Sequence, residues 1–245
     1  MKKFLVLQLR PEDEASDDEF RAFLEFGGLS KDEVRRIRIE KTGIPDDVSL
    51  DDYSGVIVGG GPSNVSDAQE KKSEQQKKFE ADLYKLLDEV VEKDFPFMGA
   101  CYGVGILSSH LGACVSKEKY GEGVGAVTVR VNQEGKKDDL LKGLPEEFRA
   151  FVGHKEACQG VPESGALLAS SDTCPVQMYR VKNNIYATQF HPELDVEGII
   201  TRIKVYKNAG YFPPEDAQKI IDEAKQETVE IPKQILERFV QKYKK

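Results

Sequence analysis

Residues 97–103 of the sequence read Phe-Met-Gly-Ala-Cys-Tyr-Gly. A short apolar run over residues 95–98 predicts a buried strand, and the apolar spacing between Val104 and Leu111 predicts a helix directly after it. Cys101 would then stand at the apex of one tight turn, where small neighbouring residues permit a sharp bend. Free cysteines are also among the most buried residue types, so this stretch alone fits a packed cysteine equally well.

A nucleophile in such a turn benefits from the helix that follows it. The positive end of the helix dipole favours a thiolate, and the unpaired backbone N–H groups of the first turn can hold an oxyanion. We therefore take Cys101 as the candidate nucleophile.

Strands and helices alternate through the first half of the chain. Strands are predicted at residues 3–9, 34–39, 54–59 and 95–98, and helices at 17–26, 67–93 and 104–111. This alternation is typical of parallel crossover units with helices on both faces of a sheet. We expect an α/β fold with three layers and a mostly parallel open sheet. Later short strands would extend or edge that sheet, at residues 124–131, 148–152, 166–169, 176–181 and 185–190.

The last part of the chain has a different pattern. Pro213 and Pro214 break the chain after a predicted helix at 196–208, and two further helical pieces follow them. We expect residues 1–212 to form the main domain and residues 213–245 to form a helical extension that packs on it. A surface for a partner or for a homodimer is the alternative role of this extension.

Composition excludes several classes of function. The chain has 245 residues with a formal net charge of -8 and no basic stripe, so a nucleic-acid partner is not expected. No apolar run approaches the ~20 residues of a membrane span. The apolar run at residues 4–9 ends in Arg10 and acidic residues, which indicates a strand in a cytoplasmic protein. Four cysteines without a C-x-x-C pair, and three histidines, give no expectation of a metal or cofactor.

A second motif reads Ala-Thr-Gln-Phe-His-Pro-Glu at residues 187–193. In an extended chain, residues two apart point the same way, so Glu193 can orient His191. Pro192 restricts the backbone between them. A carboxylate in that position fixes the tautomer of the imidazole and favours its protonated form, as a catalytic base requires. A surface His-Pro turn is equally compatible with these residues.

A third motif reads Val-Gly-Gly-Gly-Pro-Ser at residues 58–63. It lacks the Lys-Ser/Thr pair of a phosphate-binding P-loop and the spacing of a dinucleotide site. Glycines at the end of a strand can present backbone N–H groups to a small anion, although a simple tight turn has the same sequence.

The order of the three motifs resembles that of class I glutamine amidotransferases, over roughly residues 50–195. Within that family the chain looks most like stand-alone proteins that resemble the glutaminase domain of GMP synthase. The resemblance implies a flavodoxin-like fold. It also implies that Cys101 forms a γ-glutamyl thioester, that His191 protonates the departing ammonia and then activates water, and that Glu193 holds His191. The N–H groups of Tyr102 and of Gly60 or Gly61 would form the oxyanion hole.

One residue departs from the family pattern G-x-C-x-G-x-Q. Gly105 stands where the family commonly has a glutamine that helps to hold the substrate. The lost side chain leaves room for a bulkier substrate at this position. His154 is a further candidate for contact with the substrate, but only one histidine is needed for catalysis, and the resemblance implies a histidine near this place without a triad role.

Three functions remain open on the sequence. The first is a glutaminase-type protein that supplies ammonia to a separate synthetase, because no synthetase motif is recognisable in these residues. The second is a stand-alone hydrolase or transpeptidase that acts on γ-glutamyl peptides or amides. The third is a binding or regulatory module that uses the fold without catalysis, since a fold does not determine a function.

Overall fold

The computed structural model describes residues 2–245, in which strands and helices alternate. The strands are β1 (Lys3–Gln8), β2 (Val34–Arg38), β3 (Tyr53–Val58), β4 (Phe97–Ala100), β5 (Val115–Ser116), β6 (Glu122–Val131), β7 (Glu147–His154), β8 (Ala157–Cys158), β9 (Gly165–Ser170), β10 (Met178–Val181) and β11 (Ile185–Thr188). The helices are α1 (Asp13–Gly27), α2 (Ile39–Thr42), α3 (Glu74–Lys93), α4 (Tyr102–His110), α5 (Val196–Val205), α6 (Ala217–Ala224) and α7 (Ile231–Tyr243). No helix of the described residues is both long enough and apolar enough to cross a membrane.

Nine strands form one sheet in the order β2-β1-β3-β4-β11-β10-β9-β6-β7, and β5 pairs with β8 apart from it. The strands from β2 to β11 run parallel, whereas every pairing from β11 to β7 is antiparallel. The α/β fold is confirmed, and its later strands extend the sheet as predicted. Antiparallel pairing is more extensive than we expected because hairpins, not crossover helices, join several of these strands. One hairpin closes over residues 182–184 between β10 and β11, where two consecutive asparagines predict a turn.

Alternate side chains of β1 enter two different cores. Leu5 and Leu7 are fully buried with the apolar faces of α3 and α4, while Val6 is fully buried with those of α1 and α7. A strand points successive side chains to opposite faces, so an unbroken apolar run identifies a strand that is covered on both sides. The sheet is therefore the middle of three layers.

Helix α3 begins later than its apolar periodicity predicts. The predicted helix spans residues 67–93, but α3 starts at Glu74 after Ser73, whose side-chain oxygen accepts a hydrogen bond from the Gln76 N–H. Serine is a strong N-cap residue because it satisfies a backbone donor of the first turn. Upstream, the buried Lys72 ammonium donates to the Val65 carbonyl oxygen, and the segment between them forms only a short 3-10 helix (Gln69–Lys71) that is separate from α3.

The two C-terminal helices pack on different parts of the molecule. Helix α6 buries Ile221 in a small cluster with Ile199 and Ile203 of α5. Helix α7 buries Phe239 on the sheet face that α1 also covers. The division of the chain between residues 212 and 213 into a domain and an extension stays a prediction.

Phe239 tests how strongly α7 contributes to the fold. It is fully buried, and its ring contacts those of Phe4, Tyr186 and Tyr243 at centroid distances of 6.4, 6.3 and 5.0 Å. We expect Phe239→Ala to lower the free energy of unfolding by about 3–5 kcal/mol, because it removes a buried ring and leaves a cavity. Chemical denaturation measures this loss. Gln241→Ala on the exposed side of the same helix is the control, and equal effects of the two substitutions would contradict the packing described here.

Candidate active site

Three turns leave the sheet at the carboxyl ends of adjacent parallel strands. Strand β4 pairs with β3 on one side and with β11 on the other. The glycine turn at residues 59–61 follows β3, Cys101 follows β4, and His191 lies three residues beyond β11. In parallel sheets, ligand sites form outside the carboxyl ends of the strands. The topology therefore brings the three predicted motifs to one edge of the sheet.

The turn at Cys101 is sharp and sterically crowded. Cys101 has φ 52° and ψ -95°, a region that residues with side chains rarely occupy. A Cβ on Gly99 would lie 2.7 Å from the Gly103 carbonyl oxygen, and a Cβ on Gly103 would lie 2.9 Å from the Val58 carbonyl oxygen. The Cys101 N–H donates to the Thr188 carbonyl oxygen at 2.8 Å, which ties the turn to β11. Glycine is therefore required on both sides of the cysteine.

Gly60 lies at the centre of the candidate site. An ideal Cβ on Gly60 would be 2.6 Å from His191 Cε1, 2.8 Å from Arg10 Nη2 and 3.5 Å from Cys101 Cβ. The imidazole, a guanidinium and the cysteine thus surround one small residue. The absence of a side chain at Gly60 is what allows these groups to approach one another.

Glu193 lies within hydrogen-bond distance of the His191 ring. His191 Nδ1 lies 2.9 Å from Glu193 Oε1, and both side chains are buried. Because the carboxylate accepts a hydrogen bond from Nδ1–H, Nε2 is left unprotonated in the neutral ring. Burial opposes the charge on Glu193, but His191 and Arg202 outweigh it and hold the pKa of Glu193 far below its usual value. The carboxylate therefore stays ionised.

The imidazole and the thiol are both neutral before substrate arrives. Burial lowers the pKa of His191 below 6.5, although the charge of Glu193 acts in the opposite direction. Burial also raises the pKa of Cys101 to about 12, against the effect of Arg10 and Arg202. A neutral imidazole can accept the thiol proton when a substrate carbonyl is in place.

A buried network of charges supports this pair, and we did not predict it from the sequence. Arg202 Nη2 donates to Glu193 Oε1 at 2.8 Å and lies 3.5 Å from Glu19 Oε1. Arg10 Nε donates to the same Glu19 oxygen at 2.8 Å. Arg10 closely follows β1, at the same edge of the sheet. Its position just after a predicted strand could have identified it as a site residue from the sequence. Nothing local distinguishes Glu19 or Arg202 from surface charges on helices.

Two cavities flank Cys101. The first has a volume of about 40 Å³ and the second about 20 Å³. The first is lined by His191, Arg10, Arg202, Val124, Val152, Leu194, Ile199, Tyr206 and Phe212, and the second by Ser63, Asn64, Tyr102, Gly105, His154, Lys155, Glu156 and Gln189. Gly61, Cys101, Gly153 and Tyr211 line both cavities. Tyr211 follows α5, and no pattern in the sequence predicted its place at the site.

A family model described as glutamine amidotransferase class-I matches residues 30–198. The chain belongs to the glutamine amidotransferase class-I family. Among its relatives, a glutamine-hydrolysing GMP synthase subunit of Thermoplasma volcanium is 30% identical over 166 residues, which are 66% of this chain and 75% of that protein. The corresponding protein from Pyrococcus abyssi is 29% identical over 169 residues, covering 66% and 80%.

Solved structures agree with this assignment at the level of fold. The crystal structure of a glutamine amidotransferase from Thermotoga maritima has a TM-score of 0.76 to this chain at 21% identity, over 99% of both chains. The family match confirms the prediction that this chain is a class I amidotransferase, which is a cysteine-dependent amidohydrolase. The roles of single residues in this amidotransferase stay predictions.

Backbone donors of the amidotransferase lie beside Cys101. The first N–H groups of a helix have no partner within the helix. In α4 the N–H groups of Val104 and Gly105 are already bonded, because both donate to the Cys101 carbonyl oxygen. The Tyr102 phenol points away and donates to Glu80 at 2.8 Å, so only the backbone of Tyr102 can serve the site. This arrangement is compatible with the predicted oxyanion hole at Tyr102 and the Gly60–Gly61 turn.

Gly105 lies against a buried carboxylate. An ideal Cβ on Gly105 would be 3.3 Å from Val65 Cγ2 and 3.4 Å from Glu156 Oε1. The Glu156 carboxylate accepts hydrogen bonds from the N–H groups of Val65 and Ser66 at 2.7 and 2.8 Å. Val65 and this carboxylate therefore occupy the space beside Gly105, so the room for a bulkier substrate that we expected at this position is not present. The same carboxylate fixes the segment after the glycine turn.

His154 lines the second cavity, but hydrogen bonds occupy both of its ring nitrogens. Nδ1 lies 2.8 Å from the Glu156 carbonyl oxygen, and Nε2 lies 2.8 Å from Glu122 Oε2. These bonds hold the turn that carries Glu156, and contact between His154 and substrate stays a prediction. Donor atoms of Glu122, His154 and Cys174 lie within 4.8 Å of one another. Glu122 also accepts a hydrogen bond from Gln177, so this cluster has an internal polar role and we assign it no metal.

Substitution of Gly60 tests the geometry of the site. We expect Gly60→Ala to lower kcat/KM for glutamine by about 10²-fold, because the new methyl group displaces the His191 ring from its position beside Cys101. Gly125→Ala is the matched control, since nothing lies within 4 Å of a Cβ at that position. Thermal melts establish that both variants are folded. An unchanged kcat/KM in Gly60→Ala would contradict the described approach of His191.

Proposed function

We propose that this chain hydrolyses the side-chain amide of glutamine with Cys101 as nucleophile, His191 as base and Glu193 as the group that orients the base. The observation that carries this proposal is the convergence of Cys101 and His191 on Gly60, with Glu193 fixed 2.9 Å from the imidazole. The sequence order of the three motifs and the family match support the same chemistry.

The reaction proceeds through two acyl transfers. His191 Nε2 takes the proton of the Cys101 thiol as sulfur attacks the amide carbon, and the same proton then passes to the departing nitrogen. Ammonia leaves and a γ-glutamyl thioester remains. Water attacks the thioester while His191 takes its proton, and return of that proton to sulfur releases glutamate.

Charge develops on the substrate oxygen in both transition states. We assign its stabilisation to the Tyr102 N–H and to the backbone N–H groups of Gly60 or Gly61. Removal of one such donor typically costs ~10²–10³ in rate. The ion pair of Glu193 with Arg202 keeps the carboxylate charged, which stabilises the imidazolium as it forms.

We further propose that the ammonia is passed to a separate synthetase. The relatives from Thermoplasma and Pyrococcus are each named as one subunit of a glutamine-hydrolysing GMP synthase, and that name indicates a second, separate chain. The chain also matches 40% of the length of the longer GMP synthase of Campylobacter lari, at 27% identity. A cytoplasmic location stays a prediction.

A glutamine-like diazoketone tests the proposed nucleophile. We expect it to alkylate Cys101 and to abolish release of ammonia from glutamine, because it places an electrophilic carbon at the position of the amide. Peptide mass spectrometry locates the adduct. Cys101→Ser should prevent both labelling and hydrolysis, whereas Cys114→Ser, at an exposed cysteine, should change neither. A folded protein without an adduct at Cys101 would favour the non-catalytic binding module.

The pH dependence of kcat/KM tests His191. Because burial lowers the pKa of His191 below 6.5, the neutral imidazole predominates at neutral pH and activity should be constant there. Activity should fall on the acid side, as the ring takes up a proton, with a midpoint below 6.5. In Glu193→Gln the midpoint should move further to the acid side and kcat should drop by about 10²-fold or more. A wild-type midpoint above 6.5 would contradict this assignment.

A further inference from the structure

Two buried side chains near the start of α3 bind the backbone of the segment that follows the glycine turn. The Lys72 ammonium donates to the Val65 carbonyl oxygen at 2.8 Å, and the Gln76 amide donates to the Asn64 carbonyl oxygen at 2.9 Å. The Glu156 carboxylate accepts from the Val65 N–H at 2.7 Å. Backbone groups in an irregular segment need partners of this kind when they are buried. Side chains therefore fix the path of the chain just after the glycine turn.

The Glu80 carboxylate connects these side chains to the residue beside the nucleophile. Glu80 Oε2 accepts from Lys72 Nζ at 2.7 Å, and Oε1 accepts from Gln76 Nε2 at 2.9 Å. Oε1 also accepts from the Tyr102 hydroxyl at 2.8 Å. Burial and the charge of Glu80 raise the pKa of Tyr102 well above its usual value, so the phenol keeps its proton and donates it. One carboxylate thus links the segment after the glycine turn to the first residue of α4.

Stability is a weak explanation for an ion pair in this place. The Lys72 and Glu80 side chains are 3% and 4% exposed. Removing two charges from water costs free energy that their attraction offsets only in part, and an apolar pair of similar volume is often as stable. Helix α3 also packs through the apolar side chains of Phe79, Leu83 and Leu87. A role in fixing local geometry accounts for the pair better than a role in the core.

We propose that Glu80 and Lys72 are positioning residues of the oxyanion hole. This inference rests on the proposed function, which assigns the oxyanion donors to the Tyr102 N–H and to the turn at residues 60–61. Those donors belong to two separate segments of the chain. Glu80 holds one segment through the Tyr102 phenol and the other through Lys72, three to four residues beyond the turn.

Both positioning residues act through the backbone. Other residues line the two cavities at Cys101, so Lys72 and Glu80 do not contact the substrate there. An oxyanion hole stabilises the developing charge only when its donors are fixed before the reaction. If the link between the two segments is loosened, the loss should therefore fall on kcat, while KM changes little, because the donors act chiefly in the transition state.

A matched pair of tyrosine variants tests this link. Tyr102→Phe removes the hydroxyl that reaches Glu80 and leaves the backbone N–H in place. We expect kcat for glutamine to fall by about tenfold, with KM within about twofold of the wild-type value. Tyr179→Phe is the control, because its buried hydroxyl also lies 2.9 Å from a side chain of α4, that of Ser108. Equal kcat values in the two folded variants would overturn the proposal.

Alkylation by iodoacetamide separates the oxyanion hole from the nucleophile. The Cys101 sulfur displaces iodide from a methylene carbon, and the thiol loses its proton to the base, so no oxyanion forms. We expect the rate of alkylation in Tyr102→Phe to equal that of the wild type. A rate that falls in parallel with kcat would overturn the proposal, because the defect would then lie at Cys101 itself.

A double variant tests the ion pair without leaving a charge unpaired. We expect Lys72→Met with Glu80→Gln to lower kcat for glutamine by about tenfold or more in a protein that thermal melts show to be folded. Glu74→Gln with Lys77→Met removes an exposed pair at the start of α3 and should leave kcat unchanged. An unchanged kcat in the folded Lys72 and Glu80 variant would overturn this inference alone. A wild-type protein that neither hydrolyses glutamine nor labels at Cys101 would reject the proposed function as well.

Discussion

Parallel pairing of β4 with β3 and β11 is the constraint on which the candidate site depends. Val58 of β3 and Ala187 of β11 both pair with Gly99, so the three strands end at nearly the same level. The glycine turn, the cysteine and the histidine leave the sheet side by side although they are far apart in sequence. A shift of one residue in either pairing would reverse the side-chain directions of a strand and separate these groups.

Close packing converts this topology into a reactive arrangement. Gly99 and Gly103 permit the left-handed backbone at Cys101, and Gly60 leaves space for the His191 ring. A strained backbone of this kind persists only where the surrounding structure holds it in place. The hydrogen bond from the Cys101 N–H to β11 is one of the contacts that hold it. The pair of Glu193 with Arg202 then fixes the charge behind the imidazole. Position and protonation are thus set before a substrate binds.

The sequence predicted those parts of the molecule whose signals are local. Alternating apolar segments indicated the α/β fold, and small residues around Cys101 indicated the turn. The sequence did not predict Arg202, because a charged residue on a helix becomes recognisable only when the fold buries it against Glu193. Tyr211 was missed for a similar reason. Only the path that the chain takes after α5 places it against both cavities, and no local pattern indicates that path. The start of α3 depended on a single serine cap that hydrophobic periodicity does not detect.

The central claim is that Cys101 carries the acyl group during turnover, and rapid acid quenching followed by peptide mass spectrometry tests it most directly. We expect a γ-glutamyl adduct on the peptide that contains Cys101. This adduct should form within the first turnover and disappear as glutamate is released. The peptide with the exposed Cys114 should remain unmodified. Continuous ammonia release without an adduct on Cys101, or undiminished release by Cys101→Ser, would contradict the role of Cys101 as the acyl carrier.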